Sequence, residues 1–178
     1  PRGVGKSTMI LQRIKEMAEA DQQHTLYISA DHSYFTTHTF VDTADEFVRE
    51  GGKWLFIDEV HKYDGWSREL KQIYDSHPEL HIFFTGSSVL DILEGEADLS
   101  RRALLFDMQG LSFREYLELF HGIKTPVRSL EDVLDGNTRI EGILHPIPLF
   151  NKYLREGYYP FAEEGYVQQR LQQVVRLT

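Results

Sequence analysis

Gly3-Val4-Gly5-Lys6-Ser7-Thr8 stands directly before Ile10, Ile14, Met17 and Ala18, which recur at helical spacing. Glycines let a backbone wrap closely enough for successive N–H groups to face phosphate oxygens, and a helix start adds partial positive charge. In such a loop Lys6 reaches the outer phosphates and Ser7 places a hydroxyl on Mg²⁺. Gly3, Val4, Gly5, Lys6, Ser7 and Thr8 are therefore the candidate phosphate-binding residues. The competing reading is a glycine turn and helix cap in which Lys6 is solvated.

A second group of residues supplies the chemistry such a loop needs. Trp54-Leu55-Phe56-Ile57-Asp58-Glu59 ends an apolar run with two carboxylates, at the strand end where open α/β sheets bind ligands. Asp58 there can hold the metal shell, and Glu59 can orient or deprotonate an attacking water. Phe83-Phe84-Thr85-Gly86-Ser87-Ser88 ends the next run in hydroxyls, so Thr85, Ser87 or Ser88 could bond a γ phosphate or its water. Ser87 and Ser88 also suit a helix cap. Arg101-Arg102 follows Asp91, Glu94, Glu96 and Asp98; a guanidinium could reach the γ phosphate or simply pair with those acids.

The elements that must position these residues alternate. Thr25–Ala30 reads as a strand closed by Asp31-His32, a turn signal that could also touch a nucleotide; Thr39–Glu50 reads as a helix stopped by Gly51-Gly52. Trp54–Ile57 and His81–Phe84 read as buried strands flanking a helix over Ser67–Tyr74, and Ala103–Met108 as a further strand. Such alternation predicts a parallel sheet with right-handed helical crossovers. From residue 112 the texture becomes helical, with Phe113, Tyr116, Leu117 and Phe120 in period and a largely helical Tyr153–Thr178 broken at Gly157-Tyr158-Tyr159-Pro160. The expected division is a core over 1–111 and a helical appendage over 112–178. His77 and His81 are separated by Pro78, which breaks the helix a metal pair would need, and Tyr63 and Trp66 read as packing.

Composition narrows the classes further. With 178 residues, 41% of them hydrophobic, the chain can bury a real core. A net charge of −9 argues against a surface that neutralises nucleic-acid phosphates. The absence of cysteine removes disulfides, thiolate nucleophiles and sulfur-ligated zinc, and fits a reducing compartment, with the cytoplasm as the default. No apolar run approaches the roughly 18–20 residues that span a bilayer.

Taken together, Gly3–Thr8, Phe56-Ile57-Asp58-Glu59, Thr85-Gly86-Ser87-Ser88 and Leu111-Ser112-Phe113-Arg114-Glu115-Tyr116 resemble the AAA-type P-loop ATPases of bacteria and archaea that are usually followed by a C-terminal domain of unknown function. The resemblance implies an α/β fold of the P-loop NTPase kind: three αβα layers on a five-stranded parallel sheet of AAA type, its first strand expected before Pro1, plus the helical appendage. It implies ATP and Mg²⁺ as cofactors, Asp58 with Ser7 on the metal, Glu59 as base, Ser87 or Ser88 as the hydroxyl sensor and Arg102 as the catalytic arginine. Where relatives carry Gly-Gly-aromatic-Pro-Glu, this chain has Gly157-Tyr158-Tyr159-Pro160-Phe161, which is given no catalytic role. The implied function is ATP hydrolysis that drives or switches an attached module. A nucleotide-gated interaction switch with slow turnover is the alternative, and a small-molecule kinase comes third. A homo-oligomer is among the expected states, with Arg102 serving its own or a neighbouring subunit.

In P-loop folds a strand runs into the phosphate loop, and here it would precede Pro1, as would the first glycine of the loop pattern. Without that strand, its sheet neighbours keep unpaired backbone groups, a heavy loss against a total stability of ~5–15 kcal/mol. The 178-residue segment alone is expected to fold poorly and bind ATP weakly. Adding about ten upstream residues should raise both the thermal midpoint and ATP affinity; no change in either would refute the strand assignment.

Overall fold

The computed structural model describes residues 2–87, 99, 101–137, 143, 145–162 and 166–176. Ser88 and the acidic residues Asp91, Glu94, Glu96 and Asp98 lie outside the described residues. The chain forms two compact units, Lys6–Asp107 and Pro1–Gly5 together with Met108–Thr178. The first unit ends four residues before the expected 111/112 division, and residues 1–5, expected in the core, cluster with the second unit.

In the first unit, helix α1 (Lys6–Glu16) and a short α2 (Glu19–Gln22) lead into strand β1 (Thr25–Ser29). Helix α3 (Phe40–Arg49) joins β1 to β2 (Trp54–Asp58), and α4 (Trp66–Ser76) joins β2 to β3 (His81–Phe84). The strands lie parallel in the order β1-β2-β3, with Tyr27 opposite Phe56 and Phe56 opposite Phe83. Parallel pairing follows from the helical crossovers, which return the chain to the same end of the sheet each time. Thr39 caps α3 by accepting the Asp42 N–H at 3.0 Å. Beyond α3, Gly52 lies so close to Phe47 that a Cβ would meet its ring at 2.4 Å.

Alternation along the strands sorts the side chains into two faces. Leu26, Ile28, Leu55, Ile57, Ile82 and Phe84 join one cluster with Phe40 and Ala44 of α3 and Leu70 and Ile73 of α4. On the other face Tyr27, Trp54 and Phe56 pack with Ile10, Ile14 and Met17. The result is three layers, α1, sheet, and α3 with α4, the αβα arrangement of a P-loop NTPase. Trp66 is in the core, and Tyr63 stacks on Phe40 with ring centroids 4.3 Å apart.

Two strand expectations need correction. β3 is only half covered: His81 and Phe83, on the α1 face, are exposed, because α1 packs over β1 and β2. Phe83 instead stacks on Phe56 at 4.9 Å and His81 on Trp54 at 4.2 Å. Ala103–Met108 is not a strand; Leu104 and Phe106 are 86% and 84% exposed. Apolar, extended residues become a strand only where a neighbour supplies a ladder, and among the described residues β3 pairs with β2 alone.

The second unit is helical. Its α5 (Phe113–His121) starts with a reciprocal capping box between Ser112 and Glu115 and buries Tyr116 and Leu117. Helices α6 (Leu130–Leu134), α7 (Pro146–Lys152) and α8 (Val167–Arg176) follow, with a π-helical turn at Tyr153–Gly157. The helical stretch expected from Tyr153 thus begins earlier, because Pro146 occupies a first-turn position that proline tolerates. Tyr158 is held by its carbonyl, which accepts the Leu111 N–H at 2.8 Å.

One tie fastens α3 to α4 in the first unit. Glu69 of α4 accepts the N–H of Phe40 at 2.8 Å and of Val41 at 3.3 Å, and its other oxygen accepts the Tyr63 hydroxyl at 2.8 Å. Burial and then this bond push the Tyr63 phenol up to about 12. Glu69→Ala strands all three donors and should cost about 2 kcal/mol, read as a lower urea midpoint with unchanged slope.

Candidate functional site

The carboxyl end of β2 gathers several of the sequence-predicted residues of the first unit. Asp58 is 4% exposed, the one buried charged residue among those described. Its peptide is fixed on both sides: the Ala30 N–H donates to the Asp58 carbonyl at 2.9 Å, and the Thr85 N–H donates to Ile57 at 2.9 Å. Beyond β3 the contact continues, with the Val60 N–H donating to the Thr85 carbonyl at 2.8 Å. The loop carrying Thr85 and Ser87 is therefore stapled to the turn carrying Glu59.

Around the Asp58 carboxylate the donors converge. The Tyr27 hydroxyl donates to Oδ2 at 3.0 Å, the Glu59 N–H donates to Oδ1 at 3.1 Å, and the Thr85 hydroxyl donates to the same oxygen. The Ser7 hydroxyl is a further donor. Burial raises the Asp58 pKa, but these donors, Ser7 first, outweigh it and hold the group below its ordinary 3.8. The partner tyrosine responds in the opposite sense. Burial, the bond to Asp58 and the charges of Asp58, Asp31 and Glu59 push Tyr27 up to about 12.

Ser7 reaches this carboxylate from the first turn of α1, which contains no acidic residue of its own. Just before it, Gly3 at φ 77° and Gly5 at φ 100° hold backbone angles that L side chains avoid, as a phosphate-wrapping loop requires. Val4 is buried at 2% exposure, Lys6 is half-buried and Thr8 is exposed. Serine hydroxyl and carboxylate are hard oxygen donors, a pair that suits Mg²⁺.

Glu59 has φ 56° and ψ 39°, a left-handed conformation rare for a side chain with a Cβ. Its N–H is shared between Asp58 Oδ1 and Thr85 Oγ1, the latter at 3.3 Å. Those bonds hold the strained backbone in place. The Glu59 carboxylate turns to Ser87, whose hydroxyl donates to Oε1 at 3.0 Å, and to His61, whose Nε2 lies 3.4 Å from Oε2.

A family model described as an AAA domain matches residues 1–117. The chain belongs to the AAA domain family. As an AAA domain it is of the P-loop, nucleotide-binding kind. It is also 31% identical over 182 residues to the uncharacterized protein MJ1637 of Methanocaldococcus jannaschii; the match covers 92% of this chain and 37% of that protein. The chain thus spans little more than a third of the length of that relative. No solved structure matches it significantly. Among the described residues no helix is long and apolar enough to cross a membrane.

The AAA domain thus has Ser7, Asp58, Glu59, Thr85 and Ser87 in one hydrogen-bonded group. Arg102 is elsewhere: Nε donates to Asp75 Oδ1 at 2.8 Å and Nη2 donates to Oδ2 at 3.0 Å. Asp75 is in the last turn of α4, ~13 Å along the axis from Trp66. The expected arginine of the site is therefore held at the opposite end of the helix that follows Glu59, by an acid of α4. Asp31 and His32 serve the turn after β1, where His32 Nδ1 accepts the Tyr34 N–H at 3.1 Å. His77 pairs with Asp45 at 2.6 Å and His81 stacks on Trp54.

Sequence reasoning missed Tyr27 and His61. Strand parity carries a signal for the first: Tyr27 pairs with Phe56, and Asp58 is two residues on, on the same face. For His61 only its nearness to Glu59 offered a signal. Because the Asp58 pKa is lowered, the stability it adds is complete above pH 3.8 and is lost as pH falls through the lower folded value. Asp58→Asn should lower urea stability at pH 7 by about 2 kcal/mol, and the gap to the parent should close as the medium is acidified below 3.8. A gap that persists in acid would refute the assignment.

Proposed function

We propose that this AAA domain binds ATP with Mg²⁺ and hydrolyses it, driving or switching a module attached to it. The observation that carries the reading is the buried Asp58 carboxylate at the end of β2, which gathers the Tyr27 and Thr85 hydroxyls and the Glu59 N–H. Ser7, in the first turn after the glycine loop, also favours its charge. Ser7 and Asp58 bring together hard oxygens from distant parts of the sequence, a donor set of the kind that suits a divalent cation. Ser7 and Asp58 are the residues that would hold Mg²⁺, which when bound supplies positive charge against the phosphate oxygens.

The chain's own groups account for the rest. Backbone N–H groups from Gly3 to Ser7 would face the phosphates, and Lys6 would neutralise the outer ones. Glu59 would accept a proton from the attacking water, since a carboxylate next to the metal ligand is within reach of that face. The Ser87 hydroxyl would contact the water or the γ phosphate from the stapled loop. Arg102 is engaged with Asp75, so in its own chain it takes no part in this reading.

Lys6→Ala should abolish nucleotide binding in calorimetric titration. Glu59→Gln keeps the size of the side chain, so the left-handed backbone bears no added strain; ATP affinity should hold while phosphate release falls ~10²-fold or more. Turnover equal to the parent in the Glu59 variant would remove that residue from the mechanism.

A further inference from the structure

His61 sits on the 3₁₀ turn Val60–Lys62, directly after Glu59, and its side chain is 8% exposed. Its Nδ1 accepts the backbone N–H of Ser87 at 3.2 Å. A ring nitrogen that accepts from an N–H carries no proton, so in the neutral imidazole the proton is on Nε2. That nitrogen faces Glu59 Oε2 at 3.4 Å. The tautomer is thus set by the loop, and it leaves the protonated nitrogen within ion-pair distance of the carboxylate.

Glu59 Oε1 is meanwhile held by the Ser87 hydroxyl at 3.0 Å. Residue 87 therefore contacts the carboxylate twice: directly through Oγ, and through its backbone by way of the imidazole. Resting on the reading that Glu59 handles the attacking water, we infer that His61 is a positioning residue, a bracket that fixes the Glu59 carboxylate relative to the loop at the end of β3. A glutamate side chain turns about three bonds, and a proton acceptor works only within hydrogen-bond reach of its water. Misplacement by about 1 Å can cost 10²-fold in rate. The Ser87 hydroxyl alone restrains one oxygen and leaves the carboxylate free to swing about it; the imidazole on the second oxygen removes that freedom.

Three substitutions separate this role from space filling. His61→Asn keeps an acceptor near the Nδ1 position and loses the donor; His61→Gln reaches toward the Nε2 position with an amide donor; His61→Phe keeps the bulk with neither. In steady-state ATP hydrolysis by the full chain, kcat should fall roughly tenfold in the Asn and Phe variants and stay within about threefold of the parent in the Gln variant. KM for ATP should change less than about twofold in all three, because the bracket acts on the base and not on the phosphates. In a Glu59→Gln background, His61→Asn should add no further loss.

Parent-like kcat in His61→Asn and His61→Phe, with Glu59→Gln stalled, would overturn the bracket and leave the hydrolytic reading standing. Losses that appear in KM, or that multiply with the Glu59→Gln loss, would also overturn it. Unimpaired turnover in Glu59→Gln itself would sink the underlying reading and the bracket with it. Independently of activity, ¹⁵N spectra of histidine-labelled protein should show His61 protonated at Nε2, and a Nδ1-protonated ring would refute the inference.

Discussion

A buried carboxylate that must accept more hydrogen bonds than one strand can donate organises the first unit. Asp58 draws on Ser7 from the start of α1, Tyr27 from β1, Thr85 from the end of β3 and the N–H of Glu59. An ionised acid with this little solvent contact would be heavily penalised without them. Each donor comes from a separate element, so satisfying the charge fixes the relative placement of α1 and all three strands at one end of the sheet. The network that makes the burial tolerable also keeps the group ionised, and so leaves anionic oxygen where a cation would need it.

The sheet beneath this network is packed unequally. Between the sheet and α3 with α4 lies an extensive cluster of aliphatic and aromatic side chains, whereas on the other face the described cluster is smaller, Ile10 and Ile14 of α1 and Met17 just beyond it against Tyr27, Trp54 and Phe56. The thinner layer carries α1, and Tyr27 and Asp58 project from the same sheet face toward it. Firm packing on one side gives the strands a fixed frame. The lighter cover on the other leaves room for polar groups at the strand ends.

Much of this was legible in the chain because local signals and tertiary context agree. Gly3 to Ser7, the apolar run ending in Asp58-Glu59, and the hydroxyls after Phe84 each marked an element, and the described members Ser7, Asp58, Glu59, Thr85 and Ser87 come together. What stayed hidden depends on pairing. The apolar texture of Ala103–Met108 says strand, but a strand is a property of two segments, and no neighbour pairs with this one among the described residues. His81–Phe84 reads as buried on composition alone, while its burial depends on how far α1 extends across the sheet. Arg102 looked like a site residue because guanidinium suits phosphate, and only three dimensions reveal Asp75 beside it. Tyr27 is signalled by strand parity only once the β1-β2 register is known, and His61 only by its nearness to Glu59.

The backbone at Glu59 bears on how such a domain could change over time. Its φ of 56° falls where asparagine, aspartate and glycine rest most easily and where β-branched residues are excluded. A lineage in which this acid is no longer under selection would relieve strain by drifting to those three residue types. Decay at position 59 therefore has a preferred direction, and a descendant carrying Asn or Gly there would be more robust while lacking the carboxylate that the proposed function requires.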